Sequence, residues 1–299
     1  MKKDRIISIA LIALLLGCFS CASDASKNKS AKNQALIDVS ITKQELLDQL
    51  TYYRLPSPDE LFAQIDFSEL EFNQGLLLDA KNYKNFLKSK QQALALGIYI
   101  TDLAYVTLFN QNEVSMDYFE AVYGLSEQLR INSAVQEPLL KRIASNIDHT
   151  DSLMVLSQQA YTDIMDFLEN NQKEDVVSLI TIAAFIETLH LTLFYVNEFD
   201  TSDPIIQMLI DQRFTVQNLY AYAKMQKENK NVASVLKHIE NIYTLYQELN
   251  EVPSENEAAT VEKTNQLMLS GGSDYTITKE QFETLKAEVA RSRKAIVAF

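Results

Sequence analysis

The chain has 299 residues, of which 47% are hydrophobic and 22% are charged, so it carries enough apolar side chains for a sizeable core and lacks the composition of a disordered polymer. Its 40 acidic side chains outnumber 27 Lys and Arg, and the net charge of -13 argues against a nucleic-acid-binding protein, which needs a basic face. Six glycines and five prolines are few for this length, which disfavours glycine-rich phosphate loops and favours long helices.

The amino end has the features of a bacterial lipoprotein signal peptide. A positive segment containing Lys2, Lys3 and Arg5 precedes an apolar run over residues 6–16, which is shorter than the roughly 20 residues that a spanning helix needs. Residues 15–18, Leu-Leu-Gly-Cys, resemble the lipobox, in which the cysteine thiol receives diacylglycerol. We therefore predict a signal peptide over residues 1–17 and lipidation, including palmitate, at Cys18.

Two alternatives to this interpretation are an uncleaved anchor and a plain secretory signal cut near Ala22, and Cys21 is a weaker second candidate for the lipid. Several acyl chains on one cysteine hold a protein stably on a membrane without a spanning segment. Residues 18–40 are rich in Ser, Lys, Asn and Ala without apolar periodicity, which predicts a flexible tether.

The residues after Cys18 favour a location. Asp directly after the lipidated cysteine signals inner-membrane retention in lipoproteins of this kind, whereas this chain has Phe19, so the resemblance implies the outer membrane. Surface export in Bacteroidota-type lipoproteins goes with an acidic run after the cysteine, and here only Asp24 is near. We expect a lipid anchor at the periplasmic face rather than at the cell surface.

Residues 41–250 have the spacing of an antiparallel helical bundle. Ser57, Pro58 and Glu60 form a helix start, with a capping residue, a first-turn proline and a capping-box glutamate. Apolar residues three and four positions apart predict further helices, the first of which we expect to bend at Gly97. These helices cover residues 83–109, 115–130, 137–147, 151–169, 174–197, 204–227 and 232–250.

The carboxyl-terminal part is predicted to add a linker, a hairpin and one more helix. Residues 251–264 are acidic and polar, which predicts a linker. A Ser-Gly-Gly-Ser-Asp turn that is typical of a hairpin lies between residues 266–269 and 275–277. Thr278 and Gln281 then open a final helix that packs on the bundle. The predicted fold class is all-α, a multi-helix bundle with a small candidate β-hairpin before the last helix.

Residues 176–196 are the most apolar stretch after the amino end and are long enough to cross a bilayer. Glu187 and His190 lie in the second half of this stretch, and a charge at mid-membrane costs roughly 2.5 to 3.5 kcal/mol. We interpret the stretch as a central helix that is buried on all sides rather than as a spanning helix.

Glu187 and His190 also have the Glu-x-x-His spacing of ferritin-like metal bundles. No second Glu-x-x-His exists among the three histidines, so we predict no metal and no cofactor. A buried polar pair would be satisfied by Asp102 or Arg213 from other helices. Asp102 lies in an otherwise apolar helix, where a buried carboxylate either acts as a general acid or, more often, sets helix register.

Residues 55–62, 96–105 and 185–189, taken with the lipobox, are similar to an uncharacterised helical family of Bacteroidota lipoproteins. The resemblance implies an envelope location and no activity. No serine-nucleophile elbow, zinc-hydrolase helix, P-loop or dinucleotide motif is present. The predicted function is a lipid-anchored envelope protein whose body is a scaffold or binds another envelope protein. The alternative is a bundle that binds a small ligand or metal through Asp102, Glu187 and His190.

Overall fold

The computed structural model describes residues 55–131, 142, 145, 146, 149–252 and 274–298 of the chain, all of which belong to one compact unit. The predicted signal peptide, Cys18 and the tether lie outside the described residues. So do most of the predicted helix over 137–147, the predicted strand over 266–269 and residues 253–264 of the predicted linker.

The predicted all-α class is confirmed. The α-helices of the described residues are α1 (Pro58–Phe62), α2 (Ser89–Leu108), α3 (Asn112–Gln128), α4 (Thr150–Asn170), α5 (Glu174–Phe194), α6 (Pro204–Met225), α7 (Lys230–Gln247) and α8 (Lys279–Val297). Two short 3-10 helices, Gln74–Leu76 and Ala80–Asn85, lie in the connection between α1 and α2. Between α7 and α8 are two three-residue strands, β1 (Asn250–Val252) and β2 (Asp274–Thr276).

The helix α5 is the centre of the bundle. It packs against α2 most extensively and also against α1, α4, α6, α7 and α8. Among the described residues it is the one helix long and apolar enough to cross a membrane, but 89% of its most apolar window is buried inside the protein. This burial is what the interpretation of residues 176–196 as a central core helix predicted.

The helix α2 differs from the prediction at its start. Residues 83–85 belong to a 3-10 helix, which is capped by the Asp79 side chain as it accepts from the amide of Lys81 (3.0 Å). The backbone of Lys88 is extended. The helix α2 therefore begins at Ser89 rather than at residue 83. The helix continues through Gly97. A Cβ added at this glycine would lie 2.2 Å from the carbonyl oxygen of Ile180, so Gly97 permits a close crossing of α2 and α5.

Three helices end with a residue other than glycine in the left-handed conformation. Asn110, Arg130 and Gln172 have φ angles of 55°, 59° and 56° after α2, α3 and α4. At each end the next amide returns to a carbonyl five residues earlier, as between Gln111 and Val106 (3.0 Å). This is the Schellman arrangement, which satisfies carbonyls at the helix end and explains how a chain with few glycines stops its helices.

The predicted strand over residues 275–277 corresponds to β2, whereas its predicted partner, residues 266–269, lies outside the described residues. β2 pairs with β1 in antiparallel register, with Asn250 opposite Thr276 and Val252 opposite Asp274. Residues 251 and 252 therefore form a strand rather than the start of a linker. The two capping boxes predicted from sequence, Ser57 with Glu60 and Thr278 with Gln281, are both present.

Candidate functional site

The buried charge cluster consists of Asp102 on α2, Glu187 and His190 on α5, and Arg293 on α8. The carboxyl groups of Asp102 and Glu187 have no exposed surface, and the Arg293 side chain is 19% exposed. Apolar neighbours bury these parts of the helices in the core, and the polar side chains are buried with them. Their hydrogen-bonding groups therefore need partners inside the protein.

Glu187 forms a bidentate ion pair with Arg293. Nε of the guanidinium donates to one carboxylate oxygen of Glu187 (2.6 Å) and Nη2 donates to the other (2.8 Å). The same Nη2 also donates to the backbone carbonyl of Leu76 (2.8 Å). The pairing raises the pKa of Arg293 against the opposing effect of burial, so the guanidinium stays charged.

Asp102 is the second acid of the cluster. Its Oδ2 accepts from the amide of Leu78 (3.2 Å), whereas Oδ1 has no hydrogen-bond partner among the described residues. Burial raises the pKa of Asp102 well above its ordinary value, and the neighbouring Glu187 carboxylate raises it further, against the lowering effect of Arg293. The one guanidinium thus pairs with Glu187, and the surroundings of Asp102 favour its protonated form.

His190 lies one turn beyond Glu187 and is half-buried. Burial lowers its pKa most, and the Glu187 carboxylate opposes that shift while Arg293 adds to it. A hydrogen bond to the backbone of Leu76 also opposes the shift. The imidazole is therefore neutral at pH 7 and joins Arg293 in holding the segment that contains Leu76.

The covering segment, residues 71–79, is tied to the bundle by polar side chains. Tyr99 donates to the carbonyl of Asp79 (2.9 Å) and Tyr195 donates to the carbonyl of Glu71 (2.8 Å). The hydroxyl of Tyr105 accepts from the amide of Asn73 (3.1 Å) and lies 2.5 Å from the Tyr195 hydroxyl. Together with the bonds to Leu76 and Leu78, these contacts close the covering segment over the charge cluster.

The structure brings together all three residues that the sequence predicted as a candidate site. The predicted partner Arg213 is wrong, because its guanidinium lies over the ring of Tyr275 (4.3 Å) and the true partner is Arg293. A signal for Arg293 was present in the sequence. It lies four residues after Val289 and three before Ile296, so helical spacing puts it on the apolar stripe of the last helix.

The cluster has the chemistry of a structural polar core. Asp102 and Glu187 have no exposed surface that a substrate could reach, and both carboxylate oxygens of Glu187 are already bonded. Among the residues that the structure describes, no group of three or more His, Cys, Asp or Glu side chains is placed to hold a metal ion.

A further buried acid, Asp59, lies in the first turn of α1 and is 5% exposed, with no hydrogen-bond partner for Oδ1 in the described part of the chain. Burial raises the pKa of Asp59 from 3.8 to about 7. Below pH 4 both folded and unfolded forms are protonated, and between pH 4 and 7 only the folded form keeps the proton. This contribution to stability is therefore full at low pH and is lost as pH rises to 7.

We expect the free energy of unfolding of the wild type to fall, relative to that of Asp59→Asn, by about 1 kcal/mol per pH unit between pH 4 and 7. Asparagine has the shape of the protonated acid and does not titrate, so it removes this dependence. Urea unfolding of both proteins at pH 4, 5.5, 7 and 8 measures the difference. If the two free energies of unfolding differ by the same amount at every pH, the pKa of Asp59 is not raised in the folded protein.

No family model matches this chain, and neither a curated protein nor a solved structure does. A function for the chain therefore has to be inferred from its own residues and their geometry.

Proposed function

We propose that the chain is a lipid-anchored, non-catalytic protein of the bacterial cell envelope whose helical body is a scaffold or binds another envelope protein. The observation that carries the proposal is the sequence Leu-Leu-Gly-Cys at residues 15–18, directly after a basic segment and an apolar run of eleven residues. The lipid on Cys18 would attach the body to the outer membrane, at its periplasmic face.

The geometry of the body supports a binding module over the alternative of a small-ligand site at the charge cluster. Asp102 and Glu187 are fully buried, and Arg293 fills the position beside Glu187 that a ligand would need. Most polar side chains of the cluster bond to the covering segment or to one another. They hold the fold together and leave recognition to the outer surface of the helices.

The charge of the body defines the kind of partner. Removal of residues 1–17 takes away Lys2, Lys3 and Arg5 but only one acid, Asp4, so the net charge changes from -13 to -15. A surface with this charge repels other acidic proteins and attracts basic ones over about a Debye length. We propose an envelope protein with a basic face as the partner.

Replacement of the lipidated cysteine tests the anchor. Cys18→Ala is expected to move the protein from the membrane fraction to the soluble fraction with its helical content unchanged, because the substitution changes no residue of the described hydrophobic core. Cys21→Ala is the matched control and should remain with the membrane. Fractionation with a high-salt wash, together with mass spectrometry of the amino-terminal peptide, measures both. Retention of Cys18→Ala after the wash, or an unmodified Cys18 in the wild type, contradicts the anchor.

Cross-linking in intact cells tests the binding role. The wild type is expected to form one reproducible adduct with an envelope protein, and the yield should fall as ionic strength rises, because the attraction is electrostatic. Cys18→Ala, released from the membrane, should give less of the same adduct. The absence of any reproducible adduct from the wild type would count against a protein-binding role.

A further inference from the structure

A second polar site lies at the start of α2, and its lining includes no residue of the charge cluster. A cavity of about 500 Å³ is formed by the beginning of α2, the first half of α7 and the end of α8. This volume is within the range of small-molecule sites in proteins. We call it the lysine cavity, after Lys88 and Lys90 in its wall.

One part of the wall is cationic and polar. Lys90 donates from Nζ to Oγ of Ser234 (2.9 Å), which links α2 to α7, and Lys88 is exposed beside it. His238 also lines the cavity, and its buried Nδ1 has no hydrogen-bond partner in the described part of the chain. We call Lys88 and Lys90 the cationic rim.

Another part of the wall is apolar. Leu94, Val235 and Ile296 line it and are 3%, 4% and 6% exposed, so their side chains belong to the core and offer only a hydrocarbon surface to the cavity. We call these three residues the apolar wall. A ligand that satisfies both sides must be charged at one end and apolar at the other.

The charge of the cavity is the opposite of that of the protein. The net charge of the chain is -13, yet no Asp or Glu is among the described residues that line the cavity. No ion pair within the described ranges joins Lys88 or Lys90 to a carboxylate. The carboxylate of Glu288 on α8 acts on His238, and it is already bonded to Arg291, Asn241 and Ser292.

We propose that the lysine cavity binds a small organic anion, a carboxylate or phosphate monoester with a short hydrocarbon chain. The anionic group lies at the cationic rim, where Lys88 and Lys90 donate charge-assisted hydrogen bonds beside the His238 imidazole. The hydrocarbon chain lies against the apolar wall, where its burial adds about 0.8 kcal/mol per methylene.

Calorimetry with simple probes tests this site, using the full chain with Cys18→Ala so that neither lipid nor detergent competes. Hexyl phosphate and hexanoate are expected to bind, with hexyl phosphate at least about tenfold tighter than hexanol or inorganic phosphate, since only the ester engages both sides of the cavity. Equal binding of hexanol and hexyl phosphate would overturn the proposal. So would the absence of saturable binding by either anion at about 10 mM.

Matched variants locate the site. Lys90→Gln is expected to weaken hexyl phosphate binding about tenfold, the loss of one charge-assisted hydrogen bond. Lys237→Gln, an equal charge change at an exposed position on α7 outside the cavity, should leave the affinity unchanged within about twofold. Equal losses in the two variants would show nonspecific attraction and overturn the site. His238→Gln gives a second variant if Lys90→Gln does not fold.

The imidazole supplies an independent readout. Burial lowers the pKa of His238 most, Glu288 raises it, and Arg291, Lys237 and Lys90 lower it. A bound anion adds a negative charge at the rim, so the pKa of His238 should rise when hexyl phosphate is added. The His238 imidazole signal is assigned as the one that is missing from the NMR spectrum of His238→Gln. A pH titration of this signal, with and without hexyl phosphate, measures the change in pKa. An unchanged pKa at saturating hexyl phosphate would contradict binding at the rim.

Discussion

Arg293→Met is expected to lower the free energy of unfolding by about 3 to 5 kcal/mol, the typical cost of leaving one partner of a buried ion pair uncompensated. The substitution leaves the Glu187 carboxylate fully buried beside Asp102 with no cation, and it removes the hydrogen bond to Leu76. Methionine keeps the length of the side chain, so loss of packing is small. Urea unfolding at pH 7 measures the change.

Three companion variants give this prediction its controls. Arg291→Met removes a charge two residues earlier on the same helix, from a side chain that is 61% exposed and paired with Glu288, and should cost at most about 1 kcal/mol. Asp102→Asn should change stability little, because asparagine has the shape of the protonated acid. The double variant Glu187→Leu with Arg293→Met should recover most of the loss, since apolar replacements of both partners are often neutral.

The pattern across these variants decides the role of the cluster. A cost for Arg293→Met no larger than that for Arg291→Met would show that the buried ion pair contributes nothing particular to the fold. A large cost for Asp102→Asn would show that Asp102 is ionised in the folded protein, contrary to the direction in which its pKa is shifted.

Gly97→Ala is expected to destabilise the protein by about 3 kcal/mol. The added methyl would lie 2.2 Å from the carbonyl oxygen of Ile180 and 3.0 Å from the amide nitrogen of Ala184, and both are backbone atoms of the central helix α5. The backbone cannot rotate away, so the two helices would have to separate. This cost exceeds the roughly 1 kcal/mol that alanine gains over glycine in helix propensity.

Gly124→Ala is the matched control for this prediction. Its added methyl would lie 2.4 Å from Cε2 of Tyr83, the far part of a half-buried side chain that can turn toward solvent. We expect a net change within about 1 kcal/mol, and thermal unfolding followed by circular dichroism measures both variants. Similar stabilities for Gly97→Ala and Gly124→Ala would contradict the close crossing of α2 and α5.

The fold and the site differ in how far they could be predicted. Helix ends with local signals were predicted within a few residues, as at Ser57 with Pro58 and at Thr278 with Gln281, because capping involves side chains within one turn. The predicted start of α2 was wrong because residues 83–87 have the apolar spacing of a buried helix face but are not all buried. Leu87, for example, is 83% exposed. Strand β1 was missed because three residues give too short a pattern to recognise.

By itself, the sequence determined that the body is helical, that the stretch around Glu187 is its central element, and that Asp102, Glu187 and His190 are candidates to be satisfied together. Each of these depends on residue type and spacing along one helix, which local geometry dictates. Only the tertiary structure decided that Arg293 rather than Arg213 pairs with Glu187, and that residues 71–79 close over the cluster. Those choices depend on which helices pack side by side, and 106 residues separate Glu187 from Arg293 along the chain.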